Sequence, residues 1–324
     1  MLSLGKRRGL AQCSTPNHAF AILALDHRQN LRNTFSPEDP GSVTYNTMVD
    51  FKRIVIETLA HHASALLLDP EYGAGTAIAE DILPGSTGLM IALETTGYGG
   101  ESHARATQIL ADWNVDKIKR IGASAVKLLI YYHPDSRTAH QQENLIGDVA
   151  KHCQKLDIPL FLEILTYSID PRKKSLPSTE KHDLILESTR RLSVLGIDVL
   201  KVEFPLNIAE DPDQSNWYKA CRELSAASSI PWVLLSADVP FEKYIMQVKV
   251  ACQAGASGVA AGRAVWKESV ELKGKERTNF LKTTTVERVT RLFDVCNSLA
   301  KPWTAFYPFS EVPEFWYRNY PGLP

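Results

Sequence analysis

The run Gly196-Ile197-Asp198-Val199-Leu200-Lys201-Val202-Glu203-Phe204-Pro205 reads as a buried parallel strand, opened by a helix-stopping glycine and closed by a proline. The pattern predicts a strand over 198–204 with Lys201 and Glu203 on one face. A lysine in a central strand is costly to desolvate as a cation. It must be paired, displaced to an edge, or kept neutral for chemistry. The stretch alone leaves two readings open: a Lys201–Glu203 or similar ion pair inside a barrel, and an amine nucleophile that forms an imine.

Seven more apolar runs of the same kind flank it. They lie at 20–25, 65–69, 88–93, 124–130, 159–165, 232–236 and 257–261. Several end on polar groups: the first on Asp26-His27-Arg28, the second on Asp69-Pro70-Glu71, the third on Glu94. Between the runs, apolar residues recur at helical spacing, as in Met48, Phe51, Val55 and Leu59, or Leu145, Val149, Cys153 and Leu156. Asn114 is a candidate N-cap for a helix that stops at Gly122, Ser178 or Thr179 opens another, and Pro240 suits a first helical turn. Eight strands alternating with helices, without a linker-like segment, predict one (β/α)₈ barrel, a TIM barrel, over residues 1–324. From about residue 301 the pattern breaks into a tail rich in aromatics and prolines, expected to cover the barrel or enter a subunit contact.

Composition narrows the partners. With 36 basic against 37 acidic residues and no Lys/Arg tract, nucleic acid and anionic membrane surfaces are not expected partners. No apolar run approaches a membrane span, and residues 1–12 lack the apolar core of a leader. The five cysteines are scattered and include no CxxC, which suits a reducing compartment and offers no thiolate metal site. A cytoplasmic homo-oligomer acting on a small molecule is expected.

In such a barrel the site lies at the C-terminal ends of the strands. Lys127, Glu163 and Lys201 fall on the fourth, fifth and sixth runs and should stand side by side, since neighbouring strands lie about 4.8 Å apart. A second cation beside a lysine favours its neutral form, and a carboxylate between them can move the protons that imine formation and C–C cleavage require. The alternative is a Lys–Glu–Lys ion triad that only fills the barrel. Asp26, Arg28 and Glu94 join the same rim. Ser236-Ala237 and Ala261-Gly262-Arg263 close the last two runs, where barrels commonly bind phosphate; a glycine turn with a surface arginine is the bland alternative. Metal chemistry competes, but His27, His61, His62 and His133 form no HExxH or closely spaced ligand set. His27 is expected as a wall or hydrogen-bonding residue.

These residues lie in the segments LALDHR (23–28), LLDPEYG (67–73), ALETTGY (92–98), IKRIGASAVKLLIYYHPD (118–135), FLEILTY (161–167), LKVEFPLN (200–207), LLSADV (234–239) and AAGRAVW (260–266). Through them the chain resembles class I tagatose-1,6-bisphosphate aldolases, and more broadly the family that also holds sulfofructose-phosphate aldolases. The resemblance implies an aldolase without cofactor or metal, in which Lys201 forms the Schiff base, Glu163 is the acid/base, and Asp26 and Lys127 assist. It also implies that Ser236, Gly262 and Arg263, with Ala237 beside them, hold the phosphate of the dihydroxyacetone-phosphate half. Arg28 and Glu94 complete the expected substrate-binding set. Many members place Gln after the aspartate, whereas this chain reads Asp26-His27-Arg28-Gln29, so the distal end of the sugar stays open. Tagatose 1,6-bisphosphate is the first expectation and sulfofructose phosphate the second. A sugar-phosphate sensor without catalysis is the non-enzyme alternative.

Overall fold

The computed structural model describes residues 2–173, 175–309, 311–318 and 320. Eight parallel strands close into a barrel in chain order: β1 (Phe20–Ala24), β2 (Ala65–Leu68), β3 (Gly88–Ala92), β4 (Ala125–Tyr132), β5 (Leu160–Thr166), β6 (Val199–Val202), β7 (Trp232–Leu235) and β8 (Gly258–Ala261), with β8 pairing back onto β1. The strands read as near-continuous apolar runs because helices cover their outer faces and the barrel interior covers the other. Crossover helices include Tyr45–Leu59, Ala139–Lys155, Ser178–Leu192, Gln214–Ala227 and Phe241–Gln253. Asn114 caps the helix Val115–Arg120 by accepting from the Lys117 N–H, as its position predicts. Pro240 stands one residue earlier than expected, at the N-cap.

Strand parity explains where the charges go. Ala125, Phe161 and Val199 belong to the buried apolar cluster inside the barrel, with Phe20, Ile22 and Val233. Two residues further along the same strands come Lys127, Glu163 and Lys201. Since side chains alternate faces, these three also point inward, one layer nearer the C-terminal rim. Glu163 is registered opposite Lys201, while Lys127 lies opposite Phe161.

The strand expected over 198–204 is shorter than its sequence suggests and ends at Val202. Glu203 therefore does not continue Lys201's face as a partner. It accepts from the backbone N–H and hydroxyl of Thr166 (2.9 and 2.8 Å), which draws it to the end of β5.

The seam between β1 and β8 is tight. Gly258, with φ +135°, is registered with Phe20, and a Cβ at that position would stand 1.9 Å from the Phe20 carbonyl oxygen. Only glycine permits this closure.

The opposite end is plugged by a helix that the sequence reading missed, Leu4–Gln12, capped by Ser3. Its Lys6 reaches both oxygens of Asp198 (2.8 and 3.0 Å), just below β6, and Asp198 also accepts from the Leu160 N–H (2.8 Å). The first part of the tail lies here as well. Trp303 is fully buried and the Tyr307 hydroxyl donates to the Asp198 carbonyl (2.7 Å), whereas Phe309, Phe315 and Tyr317 are exposed. Residues 310, 319 and 321–324 of the tail lie outside the described residues.

Candidate active site

The ten residues expected to catalyse or to bind substrate line one cavity of about 410 Å³ at the C-terminal end of the barrel, whereas Asp69 and Glu71, expected at the same rim, do not. At its floor Lys201 Nζ donates to Glu163 Oε2 (2.8 Å), and the same oxygen lies 3.1 Å from Lys127 Nζ. Lys127 also donates to Asp26 Oδ2 (2.7 Å) and Glu94 Oε1 (2.5 Å). The partner of Lys201 is thus the carboxylate one strand away, not Glu203. The two lysines are not set against each other directly but joined through one oxygen of Glu163.

The electrostatics follow from that arrangement. Burial alone would push Lys127 down, but Asp26, Glu163 and Glu94 around it outweigh burial and hold it well above the ordinary lysine value. Lys127 is therefore a fixed cation. Burial would raise Glu163 and Asp26, yet Lys127 and Lys201 overcome it and hold both below the usual carboxylate range. Both are ionised at neutral pH and can accept a proton. Glu94, the last of the carboxylates around Lys127, accepts from the Leu129 N–H (3.0 Å), which fixes it to β4.

His27 forms a wall. It packs edge-on against Trp266 at 5.2 Å, and burial pushes its pKa down to about 3, so it is neutral. Arg28 is occupied: it donates to Glu71 Oε2 (2.8 Å) and to the Glu94 carbonyl (2.7 Å).

The expected phosphate end gathers β7 and β8. Gly262 approaches His27 so closely that a Cβ would stand 2.7 Å from its ring, and the Gly262 N–H donates to Ser236 Oγ (3.0 Å). Ala237 takes the left-handed region at φ +44°, a strain for a residue with a Cβ that is common at ligand-holding turns. Arg263 is only loosely neutralised. Its Nη1 is 3.9 Å from Asp238 Oδ2, an oxygen that Lys267 holds at 2.7 Å.

Tyr131 was missed from the sequence although its signal was present. It follows Lys127 and Leu129 on the same face of β4 and lines the cavity above Glu163. Among the described residues no helix is long and apolar enough to cross a membrane, and no three His, Cys, Asp or Glu side chains could hold a metal ion.

The chain is similar to known aldolases in sequence and in fold. The tagatose 1,6-diphosphate aldolase 2 of Streptococcus mutans is 34% identical over 329 residues, covering 94% of this chain and 98% of the relative. The tagatose 1,6-diphosphate aldolase of Lactococcus lactis is 34% identical, covering 94% and 99%. Among solved structures, an archaeal fructose-1,6-bisphosphate aldolase, described with its catalytic lysine bound to the carbinolamine intermediate, superposes with a TM-score of 0.59 at 20% identity, covering 90% of this chain and 98% of its own. The fructose-bisphosphate aldolase of Plasmodium falciparum gives 0.65 at 12% identity, covering 90% and 94%. These two share the fold. The model of the DeoC/LacD family aldolase matches residues 20–268, and the chain belongs to that family.

Proposed function

We propose that this chain is a class I aldolase that cleaves a ketose 1,6-bisphosphate, tagatose 1,6-bisphosphate first among them, to dihydroxyacetone phosphate and glyceraldehyde 3-phosphate. The observation that carries the reading is the Lys201–Glu163 pair, 2.8 Å apart on adjacent strands and open to the cavity. The Lys201 amine attacks the C2 carbonyl, and the carbinolamine loses water to give an iminium. The Glu163 carboxylate takes the proton of the C4 hydroxyl as the C3–C4 bond breaks. The electron pair flows into the iminium, leaving an enamine that is protonated at C3 and hydrolysed. Lys127 supports the ionised state of Glu163 and Asp26, and Asp26 orients the substrate hydroxyls. Ser236, Ala237, Gly262 and Arg263 hold the C1 phosphate, with Ser236 yielding the Gly262 N–H to the anion. Arg28 and Glu94 shape the wall opposite.

The same reading takes the chain as one barrel domain working as a cytoplasmic homo-oligomer. Five free, buried cysteines support a reducing compartment, and the exposed aromatics Phe309, Phe315 and Tyr317 support a subunit contact.

Borohydride with dihydroxyacetone phosphate tests the assignment. A covalent adduct should form and map to Lys201. Glu163→Gln should still give the adduct while turning over roughly 10²- to 10⁴-fold more slowly. An adduct on Lys127, or none under turnover conditions, would return Lys201 to a barrel ion pair.

A further inference from the structure

A second cavity of about 550 Å³ adjoins the first and shares Glu203, Leu235, Ser236 and Ala237 with it. Among the described residues three cations line it, and their commitments differ. Lys173 is held by Glu180 at 2.8 Å and Lys181 lies 3.7 Å from Glu203. Arg105 has no carboxylate within 4.0 Å among the described residues.

Arg105 is nonetheless firmly placed. It sits on a short antiparallel hairpin, Gly99–Glu101 with Ala104–Ala106, inserted after β3. Its backbone N–H donates to the Tyr167 hydroxyl (3.2 Å), and its carbonyl accepts from Thr138 Oγ1 (2.9 Å) and Gln142 Nε2 (3.2 Å). The guanidinium carbon lies 4.6 Å over the ring of Tyr98, 4.7 Å over Tyr167 and 5.6 Å over Tyr131. Its Nε donates to the Ser102 carbonyl (2.9 Å), while the two terminal nitrogens have no protein acceptor among the described residues. A guanidinium carries five N–H donors in a rigid fork suited to phosphate. Here the stem and one donor are fixed and the fork is left free. If Arg105 were only a staple between tyrosines, stacking would suffice and an unfilled fork beside a cavity would have no use.

Tyr131 connects this fork to the catalytic floor, since the same ring lines the cavity that holds Lys201. Arg28, which shares the rim with Arg263, already has both terminal nitrogens engaged by Glu71 and by the Glu94 carbonyl. Two under-neutralised arginines therefore bracket the lysine, Arg263 beyond β8 and Arg105 above β4 and β5. A ketose with an anion at each end calls for a cation on either side of the reacting carbon, and these two arginines line adjoining cavities.

We infer that Arg105 binds the second phosphoryl group, at C6, and sets the preference for bisphosphates over 1-monophosphates. The inference rests on the aldolase reading for the identity of the ligand, so its test is made independent of turnover. Calorimetric titration with a hexitol 1,6-bisphosphate and a hexitol 1-phosphate, which lack the C2 carbonyl and cannot form an imine, gives an affinity ratio. In Arg105→Gln that ratio should fall roughly ten- to hundred-fold, the effect of losing a charge-assisted pair, and Arg105→Lys should recover part of it. Equal weakening of both ligands would mean that the hairpin was merely disturbed. That outcome, an unchanged ratio, or a ratio that collapses in Arg28→Gln instead, would overturn the inference. A ratio that responds at Arg105 in a protein that cleaves no ketose bisphosphate would sink the catalytic reading and leave the anion site standing.

Discussion

The strand β6 has a buried lysine–carboxylate centre at each end, and the two are built to opposite purposes. Below it, Lys6 and Asp198 are 2% and 6% exposed; above it, Lys201 and Glu163 are 7% and 9% exposed. Burial therefore does not tell them apart. What differs is how fully each group is used. Lys6 grips both oxygens of Asp198, the Leu160 N–H supplies a further donor, and the Tyr307 hydroxyl donates to the Asp198 carbonyl. Lys201 has Glu163 Oε2 as its single hydrogen-bond partner among the described residues, and it shares that oxygen with Lys127 beside an open cavity. A saturated buried pair acts as a fastening, whereas an under-committed pair beside space is equipped for chemistry.

Exchanging one lysine at a time gives the largest contrast. Lys201→Met should lower kcat on the order of 10⁴-fold or more, as for loss of a covalent nucleophile, with little change in urea unfolding because Lys127 still neutralises Glu163. Lys6→Met should leave the folded enzyme turning over but remove about 3–5 kcal/mol of stability, because Asp198 is left buried without its counter-charge. If both variants lost the same property, the two centres would not differ in kind.

Arg263→Ala sharpens the upper half of the comparison. Its guanidinium is only loosely paired with Asp238, so it should be available to substrate. KM for every accepted phosphorylated ketose should rise by about one to two decades, or about 1.5–3 kcal/mol, and inhibition by inorganic phosphate should weaken. Unchanged steady-state kinetics would move the C1 phosphate away from β8.

Acid separates the two ends more gently. Burial and, against it, the Lys127 and Lys201 charges set Asp26 and Glu163, whose net shift is downward, while burial holds Asp198 above its ordinary value. A depressed carboxylate binds its proton more weakly when folded, so its contribution is full above the unfolded values of 3.8 and 4.5 and is lost as pH falls below them. For Asp198 the sign is reversed, and protonation relieves a burial penalty as pH falls toward 3.8. Melting temperature plotted against pH should thus drop less steeply in acid for Asp26→Asn than for the wild-type chain; parallel curves would show that the upper network does not contribute this linkage.

The barrel was legible in the sequence because all eight strands carry the two-sided apolar signature, and the lysine–glutamate–lysine rim was legible because a charge in such a run has few explanations. Partner choice was not. Strand ends are set by local hydrogen bonds, and Thr166 drawing Glu203 to β5 shortens β6 in a way that the Val-Glu-Phe run does not announce. The helix Leu4–Gln12 and the hairpin bearing Arg105 escaped for a related reason. The helix has a polar composition with little amphipathic stripe, and the hairpin's Gly-Gly-Glu and Ala-Arg-Ala segments are too short to show periodicity. Both owe their conformation to what they pack against.

The glycine seam bears on how the enzyme comes into being. Asp26 and His27 follow the first strand and Gly262 and Arg263 the last, so the pocket straddles the join where Gly258 lies against Phe20. A chain with only β1–β7 made already carries Lys201 and Glu163, but its barrel is open and Gly262 and Arg263 are missing from the pocket. The fastening is also shared between distant parts of the chain, with Lys6 in the first helix and Tyr307 in the tail. If these residues work as proposed, a chain cut before β8 should be inert rather than weakly active, because the pocket closes only when the last strand pairs with the first.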